Sequence, residues 1–311
     1  MHWLPMFHFA RSEGCDVRAI WFPRISDPDH AGLDQADIPV LLRVPIDRDF
    51  APVGMGTDQM RHAFHDAIDH FDPDVILACT PHVGPEASLL DIAPLGPRRP
   101  CIIGLQHGFV QPWDYLERLW PFDYFAVFGP FFMGAMPSKR DRMICAPYPK
   151  ADEIRGSGLR TGNRVLFAAQ ETPSPAELRL LLKALENGGY QASVRSHPEL
   201  RDVFASLEPE FEFRDEGKFH EVVKDFDLLI TAGSSTVIES LLANVLVVVL
   251  PLQGGDQFSQ FGIVAHDITV NSVRDVQSRY RDSKFVDHIR SRILGCVELL
   301  KGKTAAEFST L

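Results

Sequence analysis

The chain has 311 residues and a formal net charge of −11, from 31 Lys and Arg against 42 Asp and Glu. That length predicts two cores of ordinary size, and the acidic balance disfavours nonspecific attraction to nucleic acid or an anionic membrane surface. Hydrophobic residues make 45% and charged residues 23%, the balance of a globular protein, and no apolar run reaches the roughly 18 residues that a membrane span needs.

In chain order, MHWLPMFHFARSEG reads as a helix and lacks the basic start and small-residue cleavage site of a secretory signal, so a cytoplasmic location is expected. Branched, strand-like runs follow at 17–22, 39–44, 74–79, 101–105, 124–129 and 143–148. Between them TDQMRHAFHDAIDHF (57–71) places Met60, Phe64, Ala67, Ile68 and Phe71 at helical spacing, with Thr57 as N-cap. The polar, Gly-rich stretch 150–164 holds the expected boundary between a first domain, 1–155, and a second, 156–311. Strands then alternate with helices at 164–170, 174–188, 190–196, 199–207, 211–215, 218–226, 228–232, 234–244 and 245–252, and the chain past 270 reads as helical. Ser174 as N-cap, Pro175 in the first turn and Gly188 past the end punctuate one of these helices. Such alternation predicts α/β architecture: two Rossmann-like, doubly wound parallel-sheet domains. Cys15, Cys79, Cys101, Cys145 and Cys296 are scattered without a CxxC pair, so they are expected to be buried free thiols rather than a disulfide framework or a structural zinc site.

Three polar segments fall where ligands gather in such sheets, at the carboxyl ends of strands. TAGSST, with Gly233, Ser234, Ser235 and Thr236, interrupts two aliphatic runs and offers backbone N–H groups and hydroxyls suited to a phosphate. A capping serine ahead of a buried helix is the plainer alternative. Glu239, one turn on in an apolar helix, suits a ribose diol or the wet edge of that helix. VRSHPEL brings Arg195, His197 and Pro198 to a strand end, where the imidazole can donate to a phosphate oxygen. PLQGGDQ offers Gln253, Asp256 and Gln257, whose amides and carboxylate match sugar hydroxyls.

The run DLLITAGSSTVIESLLANVLVVVLPLQGGDQFSQ resembles the donor-binding half of GT-B glycosyltransferases. The resemblance implies two domains facing a cleft, nucleotide contacts from Ser234 to Thr236 and Glu239, and sugar contacts from Asp256 and Gln257. His197-Pro198 followed by Ser234-Ser235 is similar, more narrowly, to the HP and SS motifs of enzymes using cytidine-activated donors: bacterial sialyltransferases, capsule Kdo transferases and CDP-glycerol polymerases. Departures are Ala232 where UDP-sugar enzymes often carry His, and Asn244 and Leu246 in place of the common Gly and Pro of AGVP. The usual opening strand is also missing ahead of the first helix. Either the start lies late or the N-terminal sheet lacks an edge strand.

In the first half, CIIGLQHGFVQP ends a strand in Gln106, His107 and Gly108. By resemblance to the CDP-glycerol polymerase group, His107 would face the reacting centre and act as base toward an acceptor hydroxyl; a structural turn histidine is the alternative. His82, with Glu86 at i+4, is its rival or partner. His62, His65 and His70 have no metal-ligand spacing, and His220 reads as structural. With no DxD signature between strands of the kind that metal-dependent GT-A transferases use, the DPD at 72–74 preceding a strand instead, metal-independent catalysis is expected, with no cofactor beyond the CMP- or UDP-linked donor as substrate. The reading is a glycosyltransferase moving a sugar, an acidic CMP-activated one being the favoured case, onto a glycan or lipid-linked acceptor in surface polysaccharide synthesis. A lipid-linked acceptor would bring peripheral membrane association. A UDP-GlcNAc 2-epimerase-like enzyme and a non-catalytic nucleotide-binding protein are the alternatives.

Overall fold

The computed structural model describes residues 4–22, 38–47, 52–78, 87–90, 99–106, 108, 113–146, 148, 151, 154, 162–170, 172–252 and 254–297. The chain divides into two compact units, one of Met1–His107, Gln111–Pro149 and Glu298–Leu311, the other of Gly108–Val110 and Lys150–Val297. Among the described residues no helix is long and apolar enough to cross a membrane.

The first unit runs α1 (Leu4–Ser12), β1 (Ala19–Trp21), β2 (Val40–Arg43), α2 (Thr57–Phe71), β3 (Val75–Ala78), β4 (Cys101–Leu105), α3 (Trp113–Leu119), β5 (Tyr124–Phe128) and β6 (Met143–Ala146). All its strand pairs are parallel, in a two-stranded sheet β1-β2 and a four-stranded sheet β3-β4-β5-β6. Helix α2 covers its expected span and buries Met60, Phe64 and Ile68 from one face. Its N-cap is Gly56 rather than Thr57, because Gln59 reaches back to accept the Gly56 N–H at 3.1 Å and draws Thr57 into the first turn. Trp113, Trp120, Phe122, Phe125 and Phe132 pack edge to face or tilted, filling one side of the sheet.

The second unit runs β7 (Arg164–Ala169), α4 (Pro175–Asn187), β8 (Gln191–Ser196), a one-turn α5 (Arg201–Phe204), β9 (Glu212–Phe213), α6 (Phe219–Val222), β10 (Leu228–Thr231), α7 (Thr236–Leu242), β11 (Leu246–Val249), α8 (Val270–Arg279) and α9 (Ser283–Val297). Its five strands are parallel in the order β11-β10-β7-β8-β9. By order of appearance that is 5-4-1-2-3, the doubly wound pattern that starts centrally, grows one way and then returns to grow the other. Strands β10 and β11 read LLIT and LVVV, and every residue of both is buried, as in a parallel sheet covered on both faces. Ser174 caps α4 as expected, in a reciprocal box with Glu177, and Gly188 ends that helix.

The first unit has six described strands, in two sheets, against five in one sheet in the second. Its succession α1, β1, β2, α2, β3 parallels α4, β8, β9, α6, β10, and among the described residues nothing corresponds to β7. Val75 and Leu77 of β3, the end strand of its sheet, are 49% and 37% exposed, whereas every residue of β10 is buried.

Two local details explain departures from AGVP. Asn244 takes up φ 58 just past the end of α7, the left-handed position that glycine holds elsewhere and that asparagine tolerates best among other residues. Leu246 keeps an N–H that proline would lack, and donates it to Asp227 O at 3.2 Å to start β11. The outer edge of β11 is closed by Tyr280, whose hydroxyl donates to Val247 O at 2.9 Å and accepts from Val247 N at 3.1 Å. Cysteine burial is less uniform than expected: Cys15 is exposed, and Cys101 and Cys145 are half-buried. Cys15 lies past the end of α1.

Candidate functional site

Strand order in the second unit selects the place. The chain leaves β7 toward β8 and later returns to β10 on the other side, and in sheets of this order the loops that diverge at such a point are where a crevice forms at the carboxyl edge. One wall is Gln170 and Thr172–Ser174, leading into α4. The other is Ala232–Ser235, leading into α7. Because all five strands are parallel, His197-Pro198 after β8 and the loop after β11 emerge at the same edge. Strand spacing of about 4.8 Å puts the ends of β8 and β10 about 10 Å apart, on either side of β7.

The β10 and β11 loops touch backbone to backbone. A Cβ built on Gly233 would stand 2.8 Å from Gly254 C and 3.0 Å from Gly255 N, and one on Gly255 would stand 2.8 Å from Ala232 O. Only glycine fits at this approach. Ser234 is buried, and its hydroxyl accepts the Thr236 N–H at 3.3 Å. The Thr236 hydroxyl is buried and finds no hydrogen-bond partner among protein atoms, a condition that costs about 1–3 kcal/mol unless a water or ligand meets it. Ser235 is half-buried, and Gly108, which groups with this unit, approaches it: a Cβ there would lie 3.6 Å from Ser235 Oγ. Helix α7 begins at Thr236, later than the sequence implies, with tight first bonds from Val237 N to Ser234 O and Ile238 N to Ser235 O, each 3.1 Å. At seven residues it is short, so donors in the turn itself, rather than a long helix dipole, are what an anion would meet.

Glu239 is 4% exposed, so it lies inside rather than on a wet edge. It is close enough to Arg195 for its charge to act there: burial pushes the Arg195 guanidinium below its ordinary pKa, while the carboxylates of Asp215 and Glu239 pull it back. Arg195 itself is engaged, donating to the carbonyls of Arg214 (2.7 Å), Glu216 (3.1 Å) and Gly217 (2.6 Å). His197 and Pro198 are exposed, with the His197 N–H donating to Ala169 O at 3.0 Å across β7. Asp256 is exposed and Gln257 half-buried on the 3-10 turn Gly255–Phe261, which Gly254 opens at φ 84.

His82, His107 and Gln253 lie outside the described residues. The residue before His107 is anchored: Gln106 is fully buried, and its side-chain oxygen accepts the Phe128 N–H at 2.7 Å, extending β5 by one rung. Sequence reasoning missed two parts of this edge. The segment Gln170–Ser174 was legible only as helix punctuation, since its place at the crevice depends on strand order. Asp215 gave no local signal, because its partner Ser196 is 19 residues away.

A scan against protein-family models finds no match, and a search of curated proteins finds none. Solved structures do match. UDP-GlcNAc 2-epimerase from Neisseria meningitidis bound to UDP-GlcNAc superposes with TM-score 0.66 at 9% identity, covering 99% of this chain and 95% of that one. CalG4, the calicheamicin glycosyltransferase, gives 0.64 at 15% identity, with 99% and 93% covered. The glycotransferase of kitacinnamycin gives 0.61 at 16%, with 99% and 94% covered. At these identities the likeness is one of fold, and the chain has the two-Rossmann-domain α/β fold that GT-B glycosyltransferases and these epimerases share.

Proposed function

We propose that the chain is a glycosyltransferase that binds a nucleotide-activated sugar at the carboxyl edge of the second unit's sheet. The observation that carries this reading is that one carboxyl edge of a five-stranded doubly wound sheet carries both the glycine-packed turn Gly233–Thr236, followed one turn on by buried Glu239, and, two strands away, exposed His197. Small residues let a phosphate approach backbone N–H groups, the Ser235 and Thr236 hydroxyls add donors, and Glu239 supplies an acceptor for a sugar diol. Asp256 and Gln257, on the adjoining loop, are the proposed contacts to the transferred sugar. The HP and SS pairs at His197-Pro198 and Ser234-Ser235 favour a cytidine-activated donor, and with it an acidic sugar and a glycan or lipid-linked acceptor. His107 is the proposed base and His82 its rival, both on the sequence alone. Leaving-group charge falls on the turn and His197, so no metal is required.

The epimerase neighbour bound to UDP-GlcNAc supports a second reading, a UDP-sugar epimerase. Thermal stability measured in parallel with CMP, CDP, UDP, GDP and dTDP separates the two. A ligand at a hundred times its dissociation constant stabilises by about 2.7 kcal/mol. A response confined to cytidine nucleotides supports the transferase reading with a CMP or CDP donor, and a response to UDP alone moves the assignment to the epimerase or a UDP-sugar transferase. No response to any nucleotide contradicts both.

A further inference from the structure

We propose that Arg195 and Asp215 are positioning residues that clasp the end of β8 to the turn at 214–217 and thereby set where His197 stands; this rests on reading that edge as the donor site. The β8–β9 ladder is short, pairing only Ser193 with Glu212 and Val194 with Phe213. It stops before β8 ends at Ser196, and side chains carry the connection onward. From one face of β8 the Arg195 fork donates to the carbonyls of Arg214, Glu216 and Gly217 at 2.7, 3.1 and 2.6 Å. The Ser196 side chain lies on the opposite face, as alternation along a strand requires, and donates its hydroxyl to one oxygen of Asp215 at 2.7 Å while the Ser196 N–H, at the strand's edge, donates to the other at 2.8 Å. The Asp215 side chain is 11% exposed and has Arg201 Nε 3.6 Å away. One four-residue turn is thus gripped from both faces of the strand whose next residue is His197.

The grip also reaches the other wall of the site. The Arg195 guanidinium lies over the Phe219 ring, 5.9 Å from its centre. Phe219 opens α6, and α6 packs on α7, which carries Glu239. A clasp serving only to hold β9 in place has no need of the carboxyl end; Ser193, lower on the same strand, already does that through its hydroxyl to Glu212 Oε2 at 2.9 Å. Ser193 is therefore the matched control.

The test compares Asp215→Asn, Ser196→Ala and Arg195→Lys with Ser193→Ala in the full chain. Thermal midpoint, nucleotide dissociation constant by calorimetry (with whichever of CMP, CDP or UDP the wild type binds), and the split between donor KM and kcat are measured for each. Losing a hydrogen bond to a charged group predicts about tenfold weaker nucleotide binding and a matching rise in donor KM for Asp215→Asn, accompanied by a fall in kcat to the extent that His197 also takes up leaving-group charge. Arg195→Lys, which keeps the charge but not the fork, is expected to behave likewise. Ser196→Ala, which removes one hydroxyl and keeps the test alive should Asp215→Asn fail to fold, is expected to weaken binding about threefold. Ser193→Ala is expected to lower the midpoint as Ser196→Ala does while leaving the dissociation constant unchanged. Equal loss of midpoint in all four with unaltered nucleotide binding overturns the clasp alone. A fall in kcat at constant KM for Asp215→Asn also overturns it. A wild type that binds no nucleotide removes the donor site, and the clasp's role with it.

Discussion

Gly233→Ala tests the packing beneath the site most sharply. The added methyl would lie 2.8 Å from Gly254 C, 3.0 Å from Gly255 N and 3.1 Å from Gly254 O, and all three are backbone atoms that cannot swing aside as a flexible side chain does. Either the β10 loop or the β11 loop must shift by several tenths of an ångström. Overpacking of this kind costs about 1–3 kcal/mol. At ~2 kcal/mol, a unit of this size loses ~4–8 °C in Tm. Because the shift falls on the turn proposed to hold phosphate, nucleotide affinity should fall by about tenfold or more, whereas a change confined to the core would cost stability alone. Differential scanning calorimetry with and without nucleotide reads both effects. Gly134→Ala is the control, since a Cβ there meets nothing within 4 Å. A Gly233→Ala protein with unchanged Tm and affinity would refute the backbone contact between the two loops.

Other substitutions probe the surroundings of the site. Asn244→Ala should cost about 1 kcal/mol by chemical denaturation while Asn244→Gly costs nothing or stabilises, because φ 58 penalises a side chain that cannot bond locally; equal loss in both would contradict the left-handed cap. Tyr280→Phe strips both bonds from Val247 at the covered edge of β11 and should cost about 1–3 kcal/mol. The Tyr280 phenol, held well above its ordinary range by burial, should stay out of an absorbance titration carried to pH 11, and its early ionisation would show that the edge is open. Alkylation followed by peptide mapping at pH 8 should label Cys15 readily and Cys145 slowly, since burial pushes the Cys145 thiol up to about 11. Equal rates would contradict that burial.

The sequence made the second unit's elements legible because their signals are local. Aliphatic runs mark β10 and β11, small residues mark the turn between them, and Ser174, Pro175 and Gly188 mark both ends of α4. Strand order is not local. Nothing within Gln170–Ser174 says that β10 returns beside β7, so one wall of the crevice was invisible until the sheet was assembled. Arg195 illustrates the same limit at the level of one side chain. A cation at a strand end suggests a phosphate contact, yet three carbonyls of a turn 19 to 22 residues later claim it. Glu239 went the other way, for an acidic residue in VIESLL signals something to be satisfied, and its burial sharpens that signal. Thr57 lost its expected cap position to Gly56 because Gln59, not a hydroxyl, supplies the reciprocal bond.

Amide hydrogen exchange, recorded with and without saturating nucleotide, tests the central claim directly. The account predicts slowed exchange across Ala232–Thr236 and at His197, with the strands β7, β10 and β11 already slow in both states. Protection confined to other segments, or no change at the turn while nucleotide is bound, would contradict it.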